Sequence, residues 1–303
     1  MLSILIPIYN FDIQILVHDL LRQARQLHIP FEILIEDDAS TQEGVCSGNY
    51  SLVAEPEVTY FQNVENKGRA RVLNHLVAAA NYPNLLFLDA NAGMKHSNFI
   101  SQYVQYVRIH SAMEKPFVVS GGVAYRDMIP DANYRLRWKY GLVREQKTAA
   151  TRNINPYRSF TSFNLLIEKS VFQTCRFDED SDVRCFVDTF FGEQLRKNKI
   201  PVTHIDNEMY LDGLDTNEGY LAQVERNLDN LHQLVQEGKA NENFVQNNRL
   251  LTTFFRLKKL HCVGLVGFIL KLLKPVLRYF VLQTYSIRAL DLYKLYYYCE
   301  RSQ

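Results

Sequence analysis

The chain has 303 residues, 47% of them hydrophobic, and its 34 lysines and arginines nearly balance 33 aspartates and glutamates. A net charge of +1 argues against a nucleic-acid-binding protein, since such a protein carries a clear basic excess. The five cysteines include no C-x-x-C pair, which argues against a zinc or redox centre and is typical of free thiols in a reducing cytosol.

The first ninety residues alternate between short apolar runs and apolar residues at helical spacing. The runs predict buried strands and the spacing predicts amphipathic helices. In chain order, we expect a strand over 2–8, a helix over 13–27, strands over 31–35 and 58–62, a helix over 68–80 and a strand over 85–88. This alternation predicts an α/β fold with a mostly parallel sheet flanked by helices.

The rest of the chain contains further predicted strands and helices, a basic loop, a linker and a tail. Strands are predicted over 117–120, 163–167 and 202–205, helices over 182–198 and 220–236, and a basic loop over 134–157. The polar residues 240–248 predict a linker. We therefore expect an α/β domain over 1–239, a linker over 240–248 and an amphipathic helical tail over 249–303.

Polar side chains directly follow three of the predicted strands. In open α/β sheets, ligands bind outside the carboxyl ends of the strands, which meet at one edge. We therefore expect one crevice lined by Tyr9, Asn10, Asp37, Asp38, Asp89 and Asn91.

Four motifs in this order resemble the family-2 glycosyltransferases of the GT-A fold, over about residues 2–214. They are Pro7-Ile8-Tyr9-Asn10, Asp37-Asp38-Ala39-Ser40, Asn66-Lys67-Gly68 with Ala70-Arg71 and Asn74, and Asp89-Ala90-Asn91 where the family has Asp-x-Asp. The resemblance implies inverting transfer of a sugar from a nucleotide-sugar, with UDP the expected nucleotide. The expected acceptor is a glycan or lipid-linked molecule of a bacterial cell envelope.

The resemblance also implies a nucleotide-binding set. Asp38 would accept a hydrogen bond from the uracil N3–H or the ribose, and Tyr9 would flank the base. The full set is Pro7, Tyr9, Asn10, Asp37, Asp38, Asn66, Arg71 and Asn74. Two structural alternatives remain open: Asp37 and Asp38 close a turn after the strand, and Tyr9 is a core aromatic.

Asp89 and Asn91 stand where the resemblance places a Mg²⁺ or Mn²⁺ ion that bridges the donor diphosphate. Asn91 brings no charge, and Leu211 stands where a late histidine is expected. Either the metal is bound mainly by the diphosphate, or nucleotide binding needs no metal, or the enzyme is impaired. The structural alternative is a polar strand end closed by a turn.

Asp188 is the residue that the resemblance nominates as the general base, although Val187 replaces the glutamate usual before it. The structural alternative is an acidic residue that stabilises a helix N-terminus. Asp182 and Glu193 are lesser candidates.

The basic segment offers cations for the departing diphosphate or contacts for the acceptor. The candidates are Arg137, Trp138, Lys139, Arg144 and Arg152, and the segment 135–141 resembles a recurring segment of bacterial family-2 enzymes. The alternatives are a solvated run of charges and, for Trp138, a buried core position rather than a sugar-stacking one.

The tail combines basic and apolar residues without an uncharged apolar run of 18 residues. It predicts helices on a membrane surface, or equally helices packed on the catalytic domain or on a second subunit. The chain starts without the features of a signal peptide, so we expect a cytoplasmic protein, with peripheral contact at the inner membrane face in the first case.

Two other classes compete with an active transferase. A catalytically impaired GT-A-fold subunit that partners an active enzyme would keep the nucleotide pocket, and Asn91, Val187 and Leu211 favour it. A nucleotidyltransferase would need a glycine-rich basic loop after the first strand, and the residues 11–14 do not supply one.

Overall fold

A computed structural model describes residues 1–110, 116–179 and 186–302, which form two compact units. The sheet unit comprises Met1–Tyr125 and Gln146–Gly213, and the helical unit comprises Arg126–Glu145 and Leu214–Gln303.

The described residues contain ten strands. They are β1 (Leu2–Ile8), β2 (Phe31–Asp37), β3 (Val58–Gln62), β4 (Asn84–Leu88), β5 (Ala92–Gly93), β6 (Val118–Ser120), β7 (Val123–Ala124), β8 (Asn164–Glu168), β9 (Val202–His204) and β10 (Met209–Leu211).

Twelve α-helices lie in the same described ranges. They are α1 (Gln14–Gln26), α2 (Glu43–Tyr50), α3 (Arg69–Ala79), α4 (Phe99–His110), α5 (Arg135–Tyr140), α6 (Ala149–Asn153), α7 (Val187–Lys197), α8 (Asn217–Gln236), α9 (Glu242–Asn247), α10 (Arg249–Lys259), α11 (Val263–Gln283) and α12 (Ile287–Arg301).

Seven strands form the main sheet in the order β3-β2-β1-β4-β8-β6-β9. All run parallel except β8, which is antiparallel to both β4 and β6. A second small sheet has the order β5-β10-β7. The mostly parallel, helix-flanked sheet predicted from the sequence is confirmed.

The continuous apolar runs in β1 and β2 arise because both faces of the sheet are covered. Ile4 and Ile6 belong to the core on the face of α1 and α4, whereas Leu5 belongs to the core under α3 and α7. Successive side chains of a strand point to opposite faces, so a strand buried on both sides shows no polar alternation.

Because β8 is antiparallel, the residues just before it lie at the carboxyl edge of the parallel strands. Leu88 at the end of β4 lies opposite Asn164 at the start of β8, and the Asp89 N–H donates to the Phe163 oxygen at 3.1 Å. Thr161 and Ser162 therefore lie at the edge where we expected the crevice.

The predicted basic loop was wrong, because residues 135–145 and 149–153 are helical. Arginine and lysine are good helix formers, and one buried residue, Leu136, anchors the first of these helices. The Thr148 side chain caps α6. The expected linker over 240–248 contains α9, whose N-terminus is capped by Asn241.

Tyrosines dominate the packing of the C-terminal helices within the helical unit. Tyr293 and Tyr296 of α12 are buried, and the Tyr293 hydroxyl donates to Glu225 of α8 at 2.5 Å. The Tyr297 hydroxyl donates to Asp229 at 3.1 Å. None of the helices over the described ranges has both the length and the apolar character needed to cross a bilayer.

Candidate active site

Asn10 joins the end of β1 to the loop after β2. Its backbone N–H donates to the Ser40 hydroxyl at 2.8 Å, and its side-chain oxygen accepts from the Thr41 N–H at 2.7 Å. Its φ of 51° is left-handed, a conformation that asparagine tolerates better than most residues. Asn10 thus shapes the edge of the sheet next to Tyr9, whose side chain is 52% exposed and not part of the core.

Asp37 closes the turn after β2, as in the structural alternative. The carboxylate is fully buried and accepts from the Ser40 N–H and the Tyr60 hydroxyl, both at 2.8 Å. Burial, reinforced by this carboxylate, raises the pKa of Tyr60, so the phenol stays a hydrogen-bond donor.

Asp38 fixes the loop that leads into α3. Its carboxylate accepts from the backbone N–H groups of Lys67 and Gly68 at 2.7 and 2.9 Å, and its carbonyl accepts from the Asn66 amide at 3.1 Å. Gly68 has a φ of 89°, which favours glycine there. One acceptor position on Asp38 Oδ2 is not used by the other described residues.

Arg71 and Asn74 contact the segment after β8 rather than the other candidates. The Asn74 side chain bonds both backbone groups of Phe177, at 2.8 and 3.2 Å, and Arg71 lies 4.0 Å from the Glu179 carboxylate. Pro7 lies within β1, opposite Glu36.

Arg69, the first residue of α3, connects to the end of β4. Its Nη2 donates to Asp89 Oδ1 at 2.5 Å and to the Ser162 hydroxyl at 2.9 Å. Burial opposes the charge of this guanidinium, but the Asp89 and Asp188 carboxylates outweigh burial and raise its pKa. Arg69 therefore stays cationic between two carboxylates.

Asp188 lies in the first turn of α7 and completes this connection. Its carboxylate accepts from the Ser162 hydroxyl at 2.6 Å, the Ser162 N–H at 3.0 Å and the Thr161 hydroxyl at 3.1 Å. The Ser162 hydroxyl thus donates to Asp188 and accepts from Arg69. We call Asp89, Arg69, Ser162 and Asp188 the Asp89–Asp188 network. It joins the predicted metal-site carboxylate to the predicted base.

The residues around Asn91 do not fit a divalent cation. β10 pairs with β5 so that Leu211 lies opposite Ala92, and the Asp212 N–H donates to the Asn91 backbone oxygen at 2.8 Å. The expected late histidine position is therefore next to the motif, but leucine offers no ligand. No group of three or more His, Cys, Asp or Glu side chains that could hold a metal occurs over 1–110, 116–179 and 186–302. Mg²⁺ and Mn²⁺ need several oxygen ligands, and Asp89 already faces a guanidinium.

Four of the five basic-segment candidates lie in the helical unit and contact it. Arg137 forms an ion pair with Glu145 at 3.0 Å and Arg144 one with Asp291 at 2.5 Å. The Trp138 ring N–H donates to the Arg126 oxygen at 2.9 Å, and Lys139 donates to the Thr284 oxygen at 3.5 Å. Each of these four side chains thus has a partner within its own unit.

Arg152 belongs to the sheet unit and is buried there. Its guanidinium donates to the backbone oxygens of Ser120, Gly121 and Ile205 at 2.8 to 3.1 Å. It also lies 3.2 Å from Nδ1 of His204. These contacts tie together the ends of β6 and β9 and occupy most of the donors of Arg152.

Arg69 and Ser162 were not among the residues predicted from the sequence. A cation in the first turn of a helix opposes the helix dipole, and this conflict was the signal that could have indicated Arg69. Ser162 gave no signal, because its place depends on the direction of β8. Asp182 lies outside the described residues.

Comparison with known proteins identifies the family. The model of glycosyl transferase family 2 matches residues 3–172. The structure is similar to the mannosyltransferase PcManGT from Pyrobaculum calidifontis in complex with GDP-Man and Mn²⁺, with a TM-score of 0.59 and 14% identity over 99% of this chain and 86% of that one.

TarS 1-349 from S. aureus is also similar, with a TM-score of 0.54 and 16% identity over 99% of this chain and 90% of that one. Its complex with UDP-GlcNAc gives a TM-score of 0.53 at 16% identity, over 99% of this chain and 90% of that one. Identities this low show the fold alone. No curated protein matches the chain. Since the family match covers more than half of the sequence, including the motifs at Asp38 and Asp89, the chain belongs to glycosyl transferase family 2.

Proposed function

We propose that the protein is an inverting glycosyltransferase that moves a sugar from a UDP-linked donor to a glycan or lipid-linked acceptor of a bacterial cell envelope. The Asp89–Asp188 network carries this proposal. In it, the candidate base and the carboxylate after β4 lie on either side of one cation, at the edge of the sheet where α/β proteins bind ligands.

Asp188 is the proposed general base. A carboxylate has about four acceptor positions, and contacts with Thr161 and Ser162 occupy three of them. The remaining position on Oδ1 can accept the proton of an acceptor hydroxyl. The hydroxyl oxygen then forms a bond to the anomeric carbon, while the bond from that carbon to the phosphate oxygen breaks and its electron pair leaves with UDP. Attack opposite the leaving group inverts the anomeric centre.

The donor nucleotide is proposed to lie against Tyr9 and Asp38. Tyr9 presents an exposed ring beside the strand end, and Asp38 retains an acceptor position on Oδ2 for a base N–H or a ribose hydroxyl. Asn10 and Asn66 hold the loops around these two residues. The nucleotide-sugar complexes of PcManGT and TarS support a donor of this class.

The test of this function is release of the nucleotide from a panel of nucleotide-sugars that includes UDP-GlcNAc, UDP-glucose and GDP-mannose. We expect slow hydrolysis of a UDP-sugar without an acceptor and faster release with a lipid-linked or glycan acceptor. UDP binding without turnover of any donor in the panel would favour the alternative, an impaired binding subunit. Asn91, Val187 and Leu211 are the residues that support this alternative.

A membrane-bound acceptor agrees with the exposed face of α11. Eight large apolar side chains lie on one arc of this helix and are 44 to 66% exposed: Leu265, Phe268, Ile269, Leu272, Leu273, Val276, Tyr279 and Phe280. We call them the α11 face. Monomeric proteins rarely expose apolar surface of this extent without a partner.

Charge favours a bilayer over a second copy as that partner. Residues 249–303 contain ten lysines and arginines and two acidic residues, which gives +8. Two copies that met through the α11 face would bring two such segments together, whereas anionic lipids attract them. We therefore propose peripheral contact with the inner face of the cytoplasmic membrane.

Sedimentation of the full chain with vesicles tests this contact. We expect binding to vesicles with about 30% phosphatidylserine, weaker binding to neutral vesicles, and loss of binding when Phe268→Glu and Leu272→Glu are combined. Ile15→Glu, at an isolated exposed isoleucine of α1, is the matched control. A wild-type dimer in light scattering that the double substitution dissociates would assign the α11 face to a second copy instead.

A further inference from the structure

Arg69 has donor capacity beyond its two described contacts. A guanidinium carries five N–H donors, and the contacts with Asp89 and Ser162 both use Nη2. Among the described residues, Nη1 and Nε make no hydrogen bond, and the side chain is 32% exposed. Arg69 can therefore donate to an arriving anion without leaving Asp89.

The negative charge around Arg69 favours a cationic hydrogen-bond donor at this position. Asp89 and Asp188 bring two negative charges to the network, and a nucleoside diphosphate adds more. Leu211 and Asn91 stand beside Asp89 and are both uncharged. A divalent cation near Asp89 would meet a guanidinium already paired with that carboxylate, so its binding would be opposed by like charge.

We infer that Arg69 supplies the positive charge at the donor diphosphate in this chain, in place of a divalent cation. This inference rests on the proposed function. The Nη1 and Nε groups of the guanidinium can each donate to a phosphate oxygen while Nη2 stays bonded to Asp89 and Ser162. As the bond between the anomeric carbon and the phosphate oxygen breaks, negative charge grows on the diphosphate, and Arg69 donates to it. Asp89 orients the guanidinium, and Ser162 links it to the base.

UDP binding measured by isothermal titration in EDTA and in Mn²⁺ tests the inference on the full chain. We expect dissociation constants within about twofold of each other. Arg69→Gln should weaken UDP binding at least about tenfold in EDTA but leave uridine, which has no phosphate, bound as in the wild type. Arg69→Lys keeps the positive charge but has fewer N–H donors, so its UDP affinity should lie between those of the wild type and Arg69→Gln.

Arg22→Gln on α1 is the matched control, because Arg22 is exposed and paired only with Asp19 among its described contacts. Thermal unfolding of each variant checks that it folds. If Arg69→Gln does not fold, the Arg69→Lys result and the comparison of EDTA with Mn²⁺ decide the question.

Three results distinguish the inference about Arg69 from the proposed transferase function. UDP binding that EDTA weakens more than about tenfold would overturn the role of Arg69 while leaving the transferase function in place. Wild-type UDP affinity in Arg69→Gln would do the same. Failure of UDP and GDP to bind under either condition would contradict the proposed function, and the inference with it.

Discussion

Arg69 and Asp89 form a 2.5 Å ion pair between the first residue of α3 and the residue after β4. The pair sits beside the strand end where a glycosyl transferase family 2 enzyme is expected to hold a metal ion. Through Ser162 it extends to Asp188, so a substitution at any of these positions changes the same network.

Asp188→Asn should lower transfer about 10² to 10⁴-fold, because an amide cannot take the proton of the acceptor hydroxyl. UDP binding should change little, since Asp188 contacts Thr161 and Ser162 directly and reaches Arg69, the proposed diphosphate ligand, only through Ser162. Turnover and UDP titration of the same preparation measure both effects. Asp19→Asn on α1 is the control, and wild-type turnover in Asp188→Asn would remove the assignment.

Ser162→Ala should reduce kcat about tenfold while changing the UDP dissociation constant less than about threefold. The Ser162 hydroxyl positions the Asp188 carboxylate and links it to Arg69, but we propose no contact between it and either substrate. Ser162→Thr, which restores a hydroxyl, should recover part of the rate. Ser101→Ala, on the exposed side of α4, controls for the loss of a hydroxyl. An equal loss in UDP affinity and kcat would indicate a merely structural role.

Asn91→Asp combined with Leu211→His should create an affinity for Mn²⁺. The two substitutions introduce a carboxylate and an imidazole beside Asp89, at the paired strands of the small sheet. Electron paramagnetic resonance of free Mn²⁺ should show depletion by the double variant and none by the wild type. The single variants serve as controls. Depletion by the wild type to the same degree would show that the native residues already suffice.

Stability should fall in mild acid through His204. Burial and the nearby Arg152 lower the pKa of His204, although the hydrogen bond to the Pro156 oxygen opposes them. The neutral ring accepts from Arg152 at Nδ1 and donates to the Pro156 oxygen from Nε2. At a pH below the ordinary histidine pKa of 6.5, His204 binds a proton more readily in the unfolded chain than in the folded one.

Neutral His204 therefore makes its full contribution to the free energy of unfolding above the ordinary pKa of 6.5. This contribution is lost as the pH falls through the lowered pKa of the folded state. Denaturant unfolding at about pH 7.5 and about pH 5.5, on either side of the ordinary value, measures it. The wild type should lose more free energy of unfolding between these values than His204→Gln. Equal losses in the two proteins would contradict the prediction.

The residues of β1 and β2 show what the sequence could predict. Ile4, Leu5 and Ile6 are buried because helices cover both faces of the sheet, and a short continuous apolar run is typical of a strand in that position. The ends of β1 and β2 lie at one edge, as expected of parallel strands: the Asp38 N–H donates to the Ile8 oxygen, and the Asn10 N–H donates to the Ser40 hydroxyl.

The position of Ser162 could not be predicted, because it depends on the antiparallel insertion of β8 between parallel strands. The role of Arg69 depends on contacts with side chains that are 20 and 93 residues away in sequence. The helix over Arg135–Tyr140 could not be predicted from its charges, because a basic run is typical of a solvated loop, whereas arginine, lysine and leucine are also good helix formers.

The most direct test of the central claim, inverting transfer with Asp188 as the base, is the anomeric configuration of the first product. Proton NMR can follow hydrolysis of an α-linked UDP-sugar by the full chain faster than the released sugar mutarotates. Attack by a water that Asp188 deprotonates predicts the β-anomer as the initial product, absent in Asp188→Asn. Initial release of the α-anomer would contradict the account.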